Sequence, residues 1–287
     1  MRKFIISTET NTDLSTEYLQ AHGVLVIPHY YTVDEVLYGE EQELSTADFY
    51  KEMRAEKKVA TMASNPAVIL EKFTEVAKSG QDILHISFSS ALSGGYSNIV
   101  MMGQEVQESF EGMMIEVVDT LSGSMGEGII VKKAVELCES GMSLAETKAE
   151  LEAMIPHLRV ECIVDDLNHL QRGGRVSKTT AIVGTLANIK PILQINAEGS
   201  LVALGKARGR KKSLHTLADH FFEQIGSYVD KQVVVGIIHG DCKEDALFVQ
   251  NLLLAQYPDL PTQIRPIGPS IGAHSGPGTV GLCYLGE

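Results

Sequence analysis

The sequence predicts an α/β fold in two parts. An N-terminal domain over residues 1–157 has a mostly parallel sheet with flanking helices, and a C-terminal α/β domain over residues 158–287 has a mixed sheet. Three observations predict it. Short β-like runs alternate with helical runs through the first half, the pattern of a parallel sheet covered by helices. A polar-faced helix starting at Ser143 stops before Pro156, which marks a boundary. Beyond it the alternation becomes less regular, as a mixed sheet requires, and 287 residues suffice for two ordinary domains.

In the first half, strands are expected over 3–7, 24–31, 82–87 and 114–118, and helices over 14–22, 46–55, 66–78, 94–107 and 124–139. Asp13, Ser45, Asn65 and Ser143 stand where N-caps belong, and Gly23, Gly80 and Gly141 follow helices as C-caps do. In the second half, strands are expected over 160–164, 191–195, 201–204, 233–239, 263–267 and 280–285, and helices over 178–188, 211–225 and 244–256.

Composition excludes several classes. No run approaches 18 apolar residues, so no membrane span is expected, and Phe4-Ile5-Ile6 is too short for a signal-peptide core. Four scattered cysteines without a C-x-x-C pair indicate reduced thiols in a cytoplasmic protein. A formal charge of −13 argues against nucleic-acid binding, which needs a basic face. One segment opposes that trend: Lys206, Arg208, Arg210, Lys211 and Lys212 form a basic patch suited to an anionic partner or, equally, a solvated turn.

Three motifs suggest chemistry, and their context removes each. Gly268-Pro269-Ser270-Ile271-Gly272 matches the G-x-S-x-G elbow, but that elbow runs from a strand directly into a helix, whereas glycines and Pro277 follow here. Gly276 to Gly281 matches G-x-G-x-x-G, yet too little chain remains for a dinucleotide-binding unit. Gly205-Lys206 lacks the Ser or Thr and the upstream glycine of a P-loop. The histidines show no metal-binding pair, and His239-Gly240-Asp241 offers too few ligands. No cofactor is implied.

Hydroxyl- and glycine-rich loops remain: Thr61 to Asn65, Ser89 to Gly95, and Ser122-Gly123-Ser124. Ligands of open α/β sheets bind beyond the carboxyl ends of strands. Helix N-termini there favour anions, and hydroxyls donate to a carboxylate without adding charge. With His274 in a glycine-rich loop, these segments predict an anion site.

The same loops resemble the DegV family. Thr61-Met62-Ala63-Ser64-Asn65-Pro66 keeps the threonine, asparagine and proline of T-S-Q-x-N-P, and Ser89 to Tyr96 matches S-S-x-L-S-G-x-Y. Also present are S-M-G-x-G (Ser124 to Gly128), R-G-G-R (Arg172 to Arg175) and K-P-x-L (Lys190 to Leu193). The G-P-x-I-G-x-H-x-G-P-G signature runs from Gly268 to Gly278. The chain departs from the pattern at Met62 and Ala63, at Glu9 in place of Asp, and at Gly95 in place of Thr.

The resemblance implies a DegV-like fold with a lipid tunnel at and beyond the domain interface. It implies a carrier without catalytic machinery, which holds a long-chain fatty acid and presents its carboxylate to an ATP-dependent fatty acid kinase subunit. The acyl phosphate so formed feeds phospholipid synthesis, and an acyltransferase and a transient membrane surface are further implied partners. By motif, the carboxylate contacts are Thr61, Ser93 and Gly94, with His274 alongside. Charge, on a chain of −13, assigns docking to Arg172, Lys206, Arg208, Arg210 and Lys211, with Arg175 beside them. Two alternatives stand beside this reading: a small-molecule hydrolase using Ser93 or Ser270 with His274, and a lipid-dependent regulatory protein.

Overall fold

The computed structural model of the chain describes residues 4–40, 42–176 and 188–287. The helix expected over 178–188 therefore lies outside the described residues except for its last position, as does Lys3 at the start of the first strand.

Four strands form an all-parallel sheet in the order β2-β1-β6-β7: β1 (Phe4–Glu9), β2 (Leu25–Ile27), β6 (Asp82–Ser87) and β7 (Ile115–Asp119). Three more, β3 (Tyr30–Val33), β4 (Val36–Tyr38) and β5 (Val59–Met62), make an antiparallel sheet in the order β4-β3-β5. The third sheet is mixed and runs β10-β9-β8-β13-β11-β12. It is built from β8 (Leu158–Ile163), β9 (Ile189–Ile195), β10 (Leu201–Arg208), β11 (Val235–His239), β12 (Thr262–Pro266) and β13 (Val280–Leu285). Its single parallel pair is β11 with β12.

The helices of the first half are α1 (Thr16–Ala21), α2 (Thr46–Arg54), α3 (Pro66–Lys78), α4 (Gly95–Ser109), α5 (Met125–Glu139) and α6 (Leu144–Met154). The second half adds α7 (Asn168–Arg172), α8 (Arg210–Gln224), α9 (Lys243–Gln256) and α10 (Pro269–Ser275). Helix α3 shows how local signals set the bounds. Asn65 caps it through the Ala67 N–H at 3.0 Å and Pro66 occupies the first turn, where its missing N–H costs nothing. Ile69, Phe73 and Ala77 recur at four-residue spacing as the buried stripe, and Gly80 turns the chain at φ +71°. Helix α6 opens on a reciprocal capping box between Ser143 and Glu146.

Three expectations are corrected. The strand over 24–31 is two strands in different sheets. Pro28 has no N–H to offer a ladder, and the His29 N–H goes to Thr10 Oγ1 at 3.0 Å instead. Asp13 is not the N-cap of α1: Ser15 caps that helix, while Asp13 closes the short 3-10 turn Thr10–Thr12 at φ +54°. Its carboxylate accepts from the Ser124 hydroxyl and the Gly268 N–H, so it ties three distant segments together. Finally, Gly268 to Gly278 is not wholly loop, because β12 leads into α10.

Helix α5 sits at the centre. Ile129, Ile130, Val131 and Ala134 are fully buried, and they belong to one core that holds Phe4 and Ile6 of β1 as well as Val160 and Cys283 of the mixed sheet. The helix is enclosed over most of its length, and its exposed charges, Glu136 and Glu139, come only in the last turns. Here it welds the sheets of the two halves, and the cleft between those sheets is where the cavity lies.

Candidate ligand cavity

Strands place side chains on alternate faces, so Val160, Cys162 and Val164 along and just beyond β8 point the same way. They face a cavity of about 200 Å³ whose wall also includes Leu170, Ile195 and Ile238. A water-sized group takes up about 10–15 Å³ on such a measure, so the space accepts an aliphatic chain of more than about ten heavy atoms.

Polar groups also line this space. Thr61 comes from β5, Ser93 and Gly94 precede α4, and His274 comes from α10, so the structure brings all four predicted residues to one cavity. Thr61 Oγ1 lies 2.8 Å from His274 Nε2. Ser93 Oγ accepts the Gly95 N–H at 3.1 Å, leaving its own proton available to a ligand. The first turn of α4 adds N–H groups without intrahelical partners. His274 stands on a short helix rather than in a loop. Burial first, and the Arg175 guanidinium second, lower its pKa to about 4, so it is neutral at pH 7.

His274 needs a bare backbone beside it. A Cβ on Gly173 would stand 2.0 Å from His274 Nδ1, which accounts for the first glycine of R-G-G-R. Gly173 has φ −73°, so alanine is conformationally acceptable there and the penalty is steric. Gly173→Ala should cost about 1–3 kcal/mol, the usual overpacking range, as seen by urea unfolding. An unchanged midpoint would mean the ring has somewhere else to go.

The departures from the family pattern also converge here. Met62 and Ala63 both line the cavity. Glu9 is fully buried at the end of β1. Burial alone would raise its carboxyl, but the imidazoles of His29 and then His85 override this and hold it well below the usual carboxylate range. A Cβ on Gly95 would sit 3.5 Å from Glu9 Oε1 and 3.4 Å from Ser93 Oγ. Next to them burial, and then the Glu9 charge, raise the Glu127 carboxyl well above its ordinary value.

Two site readings need correction. Arg175 does not join an outer basic face: its Nε donates to the Leu92 carbonyl at 3.0 Å, Nη1 donates to that of Gly173, and the residue lines the cavity. Arg210 is not free either, since its Nε and Nη2 both reach Asp245 Oδ2, at 2.9 and 2.7 Å, and Nη1 reaches Asp165 at 3.2 Å. Lys206, Arg208, Lys211 and Lys212 are exposed, and so is Arg172, which contacts His169 at 3.0 Å. Sequence reasoning assigned no ligand role to Asn11, His29 or Thr279 of the lining. Asn11 and His29 are isolated polar residues with no motif around them, and Thr279 lies in the G-x-G-x-x-G match set aside above.

A hydrolase finds little support in this geometry. Although β12 runs into α10, Ser270 is the second residue of that helix and not a strained turn. His274 Nε2 faces Thr61, and its buried Nδ1 has no hydrogen-bond partner among the described residues, where a triad places a carboxylate. No group of three metal-ligating side chains occurs among the described residues, and no helix among them is long and apolar enough to cross a membrane.

Comparison with known proteins gives the same picture. A family model described as an uncharacterised protein of the DegV family matches residues 3–287. The DegV domain-containing protein YteA of Lactococcus lactis is 35% identical over 281 residues, 97% of this chain and 96% of that protein. A DegV family protein from Thermus thermophilus, described as fatty acid binding, superposes with a TM-score of 0.87 at 28% identity, covering 100% of both chains. DegV from Bacillus subtilis, described as a fatty acid binding protein, gives 0.86 at 28% identity, again over 100% of each. With a matching model along almost its whole length and a relative of this identity, the chain belongs to the DegV family.

Proposed function

We propose that this chain is a cytoplasmic carrier of a long-chain fatty acid, without catalytic machinery of its own, that presents the carboxylate to a separate ATP-dependent kinase subunit for conversion to an acyl phosphate. The observation that carries the reading is the lining of the cavity, mostly apolar, with Thr61, Ser93, Gly94 and His274 among its polar groups and Thr61 in contact with His274. Two relatives described as fatty acid binding support it. Each methylene removed from water contributes about 0.8 kcal/mol, so a chain of about 15 gives on the order of 12 kcal/mol before association costs. A carboxylate accepts, and hydroxyl and N–H donors serve it here, with the His274 ring turned to Thr61 and Arg175 Nε and Nη1 held by backbone carbonyls rather than offered as a fork.

Protein purified from bacteria should therefore release long-chain fatty acid at near-unit stoichiometry in denaturing mass spectrometry. Absence of lipid, together with no uptake of added fatty acid, rules out a carrier. Reconstitution with a kinase subunit and ATP then tests the second half: acyl phosphate should form only with both proteins present. Lipid binding without acyl phosphate would leave a lipid-dependent regulatory protein.

Docking is assigned to Arg172, Lys206, Arg208 and Lys211, exposed cations on a chain of charge −13, with an acyltransferase and an anionic membrane surface as later partners. Arg210 belongs to the fold. Reversing Lys206, Arg208 and Lys211 to Glu should leave lipid binding intact and lower the acyl phosphate rate. The wild-type rate should fall with ionic strength more steeply than the variant's. Equal rates at low salt would reduce the cluster to a solvated edge.

A further inference from the structure

Glu9 sets a resident anion beside the ligand cavity. It is fully buried, and its charged-group partners among the described residues are two imidazoles, with no lysine or arginine. His29 Nε2 lies 3.4 Å from Oε1, His85 Nε2 lies 3.8 Å from Oε2, and the Phe88 N–H donates to Oε2 at 2.7 Å. Burial opposes the Glu9 charge, and the two rings sustain it. Of these rings His29 lines the cavity, whereas His85 is closed in behind it with Nδ1 on Ser7 Oγ at 2.9 Å.

The head-group residues stand next to this cluster. A Cβ on Gly95 would be 3.4 Å from Ser93 Oγ, 3.5 Å from Glu9 Oε1 and 3.8 Å from His29 Cε1, so hydroxyl, carboxylate and imidazole border one point. A fatty acid carboxylate held at Ser93 and Thr61 therefore arrives as a second anion near the first. Two carboxylates in one dry site repel strongly unless a cation compensates them. Few groups face the pair. Arg175 is the one lysine or arginine among the described lining residues, and it balances Glu9 before any ligand enters. His274 is neutral at pH 7, and Cys162, pushed up to about 12 by burial, stays a thiol. Behind Glu9, the Glu127 carboxyl adds no positive charge. Asp13, Glu40 and Glu43, together with the Tyr31 phenol that burial raises, line a second cavity on the other side of His29. With the ligand in place the site is one positive charge short, and imidazole is the side chain that gains a charge near neutral pH.

We propose that His29, backed by Glu9, is a fifth residue of the head-group site and takes up one proton as the fatty acid carboxylate enters. This rests on the fatty acid reading above. The proton comes from solvent through the second cavity, of about 470 Å³, which His29 also lines, so an acyl chain in the first cavity does not block its path. His29 is a positioning charge: the imidazolium donates from Nε2 to Glu9 and attracts the ligand carboxylate across the lining. It gives the proton back when the ligand leaves, so pH and fatty acid affinity are linked.

The test is calorimetric titration of lipid-free protein with oleate in buffers of different ionisation enthalpy, where the dependence of the heat on buffer counts protons. Wild type should take up about one proton per oleate, and its affinity should fall by up to about tenfold per unit as pH rises from about 6.5 to about 8.5. His29→Gln should give heats that do not depend on buffer and an affinity that is flat over the same range. Glu9→Gln keeps an acceptor for the Phe88 N–H and removes the resident anion. It should take up no proton and should bind oleate more tightly than wild type at the alkaline end. Should His29→Gln not fold, wild type and Glu9→Gln decide the matter. Oleate binding without buffer dependence in wild type overturns the proposal and leaves the carrier reading standing. Proton uptake in His29→Gln or Glu9→Gln equal to that of wild type overturns it in the same way. No oleate binding in any buffer ends the carrier reading, and this proposal with it.

Discussion

Thr61→Ala and Ser93→Ala should each weaken fatty acid binding by roughly 10- to 150-fold, the equivalent of about 1.5–3 kcal/mol for a hydrogen bond to a charged oxygen. The two changes act differently. Ser93→Ala removes a hydroxyl whose proton is uncommitted, and it also takes the acceptor from the N–H of buried Gly95. Thr61→Ala removes the partner of His274 Nε2, 2.8 Å away, and so loosens the imidazole as well as the ligand. Neither opens a large apolar void, so both lipid-free variants should stay folded, with Ser93→Ala melting lower than wild type because the buried Gly95 N–H loses its acceptor. The measurement is fluorescent fatty acid displacement beside a melting curve. Affinities equal to wild type in both variants would place the head group elsewhere.

A second large effect concerns pH. With His274 held at about 4 in the folded chain and near 6.5 when unfolded, the unfolded state binds the proton more readily. Stability from this residue is therefore fully present above pH 6.5 and is lost as pH falls towards 4. The gap corresponds to about 3 kcal/mol. Asp13 runs the other way: burial raises it to about 6 from 3.8, so its contribution improves on acidification over nearly the same window. Wild-type stability is thus flatter than either group alone would make it. His274→Gln keeps a side chain able to bond Thr61 and removes one of the two titrations. Unfolding in urea from pH 7 down to 4 should show the variant gaining on wild type as pH falls. A difference that does not change with pH would mean that His274 titrates normally.

Much of this protein could be read from its residues alone. Element type followed from periodicity and caps, as at Asn65-Pro66 for α3 and Ser143 with Glu146 for α6, because those signals act within one turn of chain. Ends in the all-parallel sheet were similarly local, and β6 occupies residues 82–87 as expected. The hairpin between β3 and β4 was not legible. Asp34 and Glu35 both take positive φ at its turn, where sequence normally signals with Asn-Gly, and Val36 and Leu37 lie exposed on a short edge strand. Strand β5, which delivers Thr61, is likewise held by its pairing with β3 rather than by any pattern of its own.

The sequence by itself determined which loops carry hydroxyls, glycines and His274, hence the residue types of the site and the family the chain resembles. Only the tertiary structure decided how they meet. Thr61 and His274 are 213 residues apart and touch because α10 packs against β5, a contact no local propensity encodes. The same is true of charge. Arg175 and Arg210 read as surface cations in a basic run, yet one is turned into the cavity and the other is bound by Asp165 and Asp245. Whether a charge faces water or a buried partner depends on neighbours brought from far along the chain, and burial is a property of the packed molecule and not of the residue.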